Sequence, residues 1–229
     1  MKKEIPVINQ DTVKYIADNK FLRFYDIQYR EGKHYYNASR RAKEDLMCMK
    51  NDEEFKNAYP DAVTCCVVLK SKKGQEDRLL LAREYRYPTG QFQTSPPAGV
   101  LDEEDVKNNS VKEALFSAAK REIKEETGLD VLDTDDIFII NPLMFSSPGM
   151  TDESNAYIGV IINDFDENNL SQDGAEGSEI FDGFVLVTKD EARKMLKSGA
   201  DDYGIYYSIA TYVCLTQFIN DFYINKQSK

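Results

Sequence analysis

The nine residues from Arg121 to Leu129 set three glutamates, Glu122, Glu125 and Glu126, beside an arginine and just ahead of Gly128. On a helix these glutamates stand at i, i+3 and i+4, so their carboxylates share one face. Exposed like-charge pairs at that spacing cost roughly 0.2–0.5 kcal/mol each. Gly128 suits the left-handed position that ends a helix, which leaves the carboxylates at an end where the helix dipole prefers cations. A bound divalent cation, Mg²⁺ or Mn²⁺, would relieve both penalties. A solvated acidic face is the other reading, and the stretch alone leaves both open.

Residues upstream extend the pattern. Gly99 closes the run Ser95-Pro96-Pro97-Ala98-Gly99, and Glu113 lies ahead of Arg121 on the same expected helix. Together Gly99, Glu113, Arg121, Glu122 and Glu125 to Leu129 resemble the Nudix box, the signature of hydrolases that cleave nucleoside diphosphates linked to another group. From Glu113 to Leu129 the match is unbroken. The segment from Val100 to Lys112 is longer than the usual pattern and reads as an acidic surface excursion. Ser110 and Glu113 also form a capping box, so Glu113 is read as a structural residue. The resemblance implies a Nudix α/β/α sandwich with Mg²⁺ (or Mn²⁺) as cofactor. It further implies oxygen ligands from Glu122, Glu126 and the Ala98 carbonyl, with Glu125 bridging or in the outer shell. Arg121 would pair with a carboxylate and support the site.

Three more segments narrow the resemblance to ADP-ribose pyrophosphatases. Leu81 to Pro88 is similar to their segment ending in Gln-Tyr-Arg. Pro97 to Asp102 resembles their Pro-Ala-Gly-hydrophobic-hydrophobic-Asp run. Ser147 to Glu153 resembles a Ser-Pro-Gly loop that ends in a functional glutamate. Phe21 and Tyr36 fall where some members place tryptophans that sandwich adenine, and Arg41 where they place a phosphate-binding arginine. Ser95 departs from the glutamate common before Pro-Ala-Gly, and the chain has no tryptophan. Each residue also has a plainer reading. Arg86 is equally an exposed strand arginine, Glu153 a loop carboxylate, and Phe21 and Tyr36 core or interface aromatics. The function implied is Mg²⁺-dependent cleavage of the pyrophosphate of ADP-ribose, or of a related nucleoside diphosphate sugar, to AMP and a sugar phosphate. Another nucleoside diphosphate derivative and a non-catalytic ADP-ribose sensor remain as alternatives.

Composition sets outer limits. A net charge of −11 opposes binding to nucleic acid or an anionic membrane, since the long-range field repels phosphates. The apolar runs are strand-sized and too short to span a bilayer. One histidine, His34, excludes a histidine-rich metal site. The four cysteines, Cys48, Cys65, Cys66 and Cys214, lack zinc-type spacing. They are expected to be reduced and buried, which points to the cytoplasm.

The elements that must position these residues follow from periodicity. Residues 1–20 read as an arm, and Phe21 to Arg30 with His34 to Arg40 as a β hairpin. A hairpin alone is marginal in water, so residues 1–61 are expected to form a β extension that dimerises the chain. A Nudix domain is expected over 62–229. Its strands are expected at Ala62 to Leu69, Leu79 to Tyr85, Ile137 to Pro142, Ala156 to Ile162 and Phe181 to Thr188. Helices are expected at Ser110 to Thr127, Lys189 to Lys197 and Tyr206 to about Ile224, the last with Tyr206, Ile209 and Phe218 among its core positions. The fold class expected is α/β.

Overall fold

The computed structural model describes residues 5–224 apart from 72–74, 164, 175, 176 and 178. The chain forms two compact units, one of residues 1–61 with 143–155 and one of residues 62–142 with 156–229.

In the first unit a three-stranded antiparallel sheet runs β1 (Val13–Asp18), β2 (Arg23–Arg30) and β3 (Lys33–Ser39), in that order. The hairpin is there, and the stretch read as an arm supplies a further strand. That strand escaped notice because Val13 is its one buried residue, so no alternation of burial shows in its pattern. Tyr25, Ile27, Val13 and Leu46 form a small core of their own. A short helix, α1 (Asp52–Lys56), is capped by Asn51, whose side chain accepts from the backbone N–H groups of Glu53 and Glu54.

The second unit is built on a sheet ordered β10-β5-β4-β9-β8, with β6 paired to β5 and β7 to β4. Its strands are β4 (Ala62–Leu69), β5 (Arg78–Arg86), β6 (Gln91–Ser95), β7 (Ala98–Val100), β8 (Asp136–Phe145), β9 (Ser154–Ile162) and β10 (Phe181–Val187). Central strand β4 is buried on both faces, as its unbroken apolar run requires. Val63, Cys65, Val67 and Leu69 face Leu115, Ala118, Ala119 and Ile123 in the main core. Those partners belong to α3 (Val111–Thr127), which follows a short helix α2 (Glu103–Val106). On the opposite face of β4, Cys66 is disulfide-bonded to Cys214 of α5 (Ile209–Ile219), which packs with α4 (Lys189–Ser198). Helices therefore cover both faces, and the unit is the expected α/β/α sandwich.

Three expectations need correction. The Cys66–Cys214 bond replaces two of the expected free thiols and removes the ground on which the cytoplasm was inferred; 148 residues separate the pair, so spacing could not reveal it. Cys48 is free and exposed, Cys65 free and buried. Helix α5 starts only after Ser208, whose hydroxyl caps it, so Tyr206 and Ile209 are exposed and lie outside the core. The segment from Val100 to Lys112 is more than a surface excursion, because α2 within it buries Asp105. Among the described residues no helix is long and apolar enough to cross a membrane.

Candidate active site

Helix α3 carries the centre of the site. Ser110 caps its start by accepting from the Glu113 N–H, while the Glu113 carboxylate accepts from the Ser110 N–H at 2.8 Å and hydroxyl at 2.6 Å. Glu113 is thus occupied structurally, as its capping pattern predicts. At the other end Gly128 adopts φ 75°, which stops the helix just past the glutamates. Glu122 and Glu126 turn inward and are 6% and 5% exposed, whereas Glu125 is partly exposed. The acidic cluster is therefore not a solvated face.

Burial sets the chemistry of this pair. It pushes the Glu122 carboxyl up to about 7, with Arg121 pulling the other way and Glu125 and Glu179 adding to the rise. Glu126 is driven well above the ordinary range by burial, then by Glu84, Glu122 and Glu179, against one hydrogen bond from the Ala98 N–H. Desolvated carboxylates packed among like charges need a positive partner.

Arg121 supplies part of that charge. Its Nη1 donates to Glu122 at 2.6 Å and Glu125 at 3.2 Å, and its Nη2 to the Val100 carbonyl and Asp105, each at 3.0 Å. Asp105 is held in turn by the Ser117 hydroxyl at 2.8 Å. This buried aspartate is a supporting residue the sequence reading missed; its signal was the acidic spacing of Asp102 and Asp105 at the start of a short helix. The closeness of β7 to α3 explains Gly99: a Cβ there would lie 1.9 Å from the Glu122 carboxylate.

Strand β5 adds a carboxylate with no counterpart in the Gln-Tyr-Arg pattern. Glu84 is 9% exposed and paired to Arg86 at 2.7 Å. Glu179, also overlooked in the sequence, acts on Glu84, Glu122 and Glu126. The chain leads to it along α3: the Ser171 N–H donates to the Thr127 carbonyl at 2.9 Å, and Gly174 lies so close to the Glu125 carbonyl that a Cβ would clash. Ile180 then accepts from the Tyr85 N–H at 2.8 Å, one residue from Glu84. Arg86, half-exposed, is the guanidinium beside the cluster that remains most accessible.

The remaining expected residues belong to the first unit. Glu153 accepts from Arg40 Nε at 2.7 Å. Arg41 is partly buried, donating from Nη2 to the Tyr59 carbonyl at 2.9 Å, to Asp61 at 3.0 Å and to Ser154 at 3.2 Å. Phe21 and Tyr36 are exposed, the first beneath the Lys20 ammonium and the second beside Phe24, with ring centroids 6.0 Å apart.

The residues of the second unit suit a hard divalent cation. They offer several carboxylate oxygens at a crowded, under-neutralised place and an adjacent strand held close by a glycine. As placed, no three of the carboxylates among the described residues close into a ready-made cage.

An α/β/α sandwich with buried glutamates at the C-terminal end of its main helix is the frame of the site. Within it, residues 58–207 match the family model for the NUDIX domain, and the chain belongs to that family. It is similar to an ADP-ribose pyrophosphatase from Saccharomyces cerevisiae, 27% identical over 146 residues, which is 63% of this chain and 58% of the relative. An uncharacterized Nudix hydrolase from Schizosaccharomyces pombe is 26% identical over 140 residues, 58% of this chain and 60% of that one. The matches thus span about three fifths of these curated relatives. A crystal structure of an ADP compounds hydrolase has the same fold, with a TM-score of 0.57 and 16% identity over 99% of both chains.

Proposed function

We propose that this protein is a Mg²⁺-dependent hydrolase that splits the pyrophosphate of ADP-ribose, or of a close nucleoside diphosphate sugar, into AMP and a sugar phosphate. The observation that carries the proposal is the buried, like-charged pair Glu122 and Glu126 beside Gly99. The likeness to an ADP-ribose pyrophosphatase favours the substrate. Glu122, Glu126 and the Ala98 carbonyl would hold the ion, with Glu125 near it; Mn²⁺ fits the same oxygen donors. When bound, such ions neutralise the pyrophosphate and lower the pKa of water enough for attack at neutral pH.

The chain's own part is to position and to move protons. Arg121 keeps Glu122 and Glu125 in place through bonds braced by Asp105. Arg86 would bind a substrate phosphate, while Phe21 and Tyr36 would stack on the base and Arg41 steady the segment that carries them. The attacking water forms a P–O bond as the bridging P–O bond breaks, and a carboxylate oxygen accepts the water's proton. Glu179, which acts on the glutamates of α3, suits that role; Glu153 is the second candidate, held on Arg40. The partner is a small nucleotide, with neither nucleic acid nor membrane required.

We also infer a homodimer made through the β extension, whose face exposes Phe21, Leu22, Phe24 and Tyr36. Light scattering should give twice the chain mass at micromolar concentration, and a monomer would contradict it. The substrate is tested by incubating the protein with Mg²⁺ and a panel of nucleoside diphosphate derivatives, then separating the products. ADP-ribose should yield AMP and ribose phosphate fastest. Tight binding of ADP-ribose without turnover would favour a sensor instead.

A further inference from the structure

We propose that Glu84 is a further oxygen donor of the divalent-ion site, its buried carboxylate joining Glu122 and Glu126 from the α3-facing side of β5, the side that also carries the Ser95 hydroxyl, which has no hydrogen-bond partner among the described residues. The inference rests on the ion-site reading above and adds a residue that the Nudix pattern does not supply.

Register fixes the geometry. Ala82 pairs with Ser95 and Glu84 with Gln93 across β5 and β6, so Glu84 and Ser95 rise from the same side of the sheet. The intervening residues point the other way. Arg83 binds Asp201 at 3.1 Å, and the Thr94 hydroxyl reaches the same carboxylate, both on the side of α4 and α5. Glu84 and Ser95 therefore face α3. The effect on Glu126 agrees: Glu84 is the strongest charged neighbour acting on it, ahead of Glu122 on its own helix.

Two features favour a role as an ion ligand over an ordinary ion pair. Glu84, Glu122, Glu125 and Glu126 crowd a place served by two guanidiniums, Arg86 and Arg121. Arg121 is further divided with Asp105, so carboxylates outnumber cations there, an imbalance suited to a divalent ion. The Ser95 hydroxyl, in a residue 4% exposed, has no hydrogen-bond partner among the described residues. A buried hydroxyl of this kind is nearly always satisfied, and the hydration shell of an ion on the same side of the sheet would satisfy it.

The test is Mn²⁺ binding by the purified protein, measured through the free-ion spin-resonance signal, for the wild type, Glu84→Gln and Glu126→Gln. Glu84→Gln should weaken Mn²⁺ about tenfold or more. Ion-free Glu84→Gln should melt at or above the wild type, because it removes one of several crowded like charges. Arg86→Met, which frees the Glu84 carboxylate, should hold Mn²⁺ at least as tightly as the wild type. If Glu84→Gln binds Mn²⁺ within twofold of the wild type while Glu126→Gln binds far worse, Glu84 serves only to hold Arg86 and the inference falls with the ion site intact. A lower melting temperature for ion-free Glu84→Gln would overturn it in the same way. If the wild type itself takes up no Mn²⁺, the ion-site reading fails and this inference with it.

Discussion

Replacing Glu122 by glutamine should make the ion-free protein more stable while destroying its activity. The Glu122 side chain is 8% exposed, and burial holds its carboxyl at about 7 against an ordinary 4.5, even after the attraction of Arg121. Between those two values the folded chain binds more protons than the unfolded one, so stability falls as pH rises and the loss is complete above about 7. The gap is worth on the order of 3 kcal/mol. Glutamine keeps the shape and removes the charge, so near pH 8 with chelator the variant should melt about 6–12 °C higher than the wild type. The advantage should shrink on acidification and vanish below about pH 4.5, where the wild-type carboxyl becomes protonated in both states. Mg²⁺ should reverse the order by raising the wild type alone, and turnover of the variant should drop at least about a hundredfold. Scanning calorimetry at several pH values with and without Mg²⁺ reads all of this. A variant that melts no higher than the wild type near pH 8 in chelator would refute the reasoning.

The two candidate bases separate by mutation: Glu179→Gln should cut turnover about 10²–10⁴-fold with ADP-ribose binding little changed, and Glu153→Gln should cost less. The reverse ranking would return the role to Glu153. Arg41→Met should cost about 3–5 kcal/mol in denaturant titration, since it strips the buried Asp61 of its cation; a change below about 1 kcal/mol would show the pair to be dispensable. Thiol titration of the unreduced, denatured chain should find two reactive cysteines, Cys48 and Cys65, and finding four would contradict the Cys66–Cys214 bond.

Much of the site was legible because it is local. The spacing of Glu122, Glu125 and Glu126, the stop at Gly128 and the capping pair Ser110 and Glu113 all lie on one helix, where a period and a cap suffice. Strand β4 was equally plain, because burial on both faces leaves an unbroken apolar run. What escaped depends on pairing across the fold. Glu84 drew no notice in the sequence until register put it on the same side of the sheet as Ser95. Asp105 looked solvated until Arg121 reached it from α3. Glu179 sits in an acidic loop with no periodicity to mark it, and its influence on Glu126 exists only because the loop begins against the end of α3. Strand β1 hid behind exposure of nearly all its side chains.

The central claim is that the buried carboxylates of α3 form an ion site that hydrolyses a pyrophosphate. Its most direct test is the release of AMP from ADP-ribose as Mg²⁺ is titrated into chelated protein, with the wild type and Glu126→Gln side by side. The wild type should be silent without the ion and rise to a saturating rate with it, while Glu126→Gln stays near background throughout. A wild type that releases AMP equally well in excess chelator, or a Glu126→Gln variant as active as the wild type, would contradict the account.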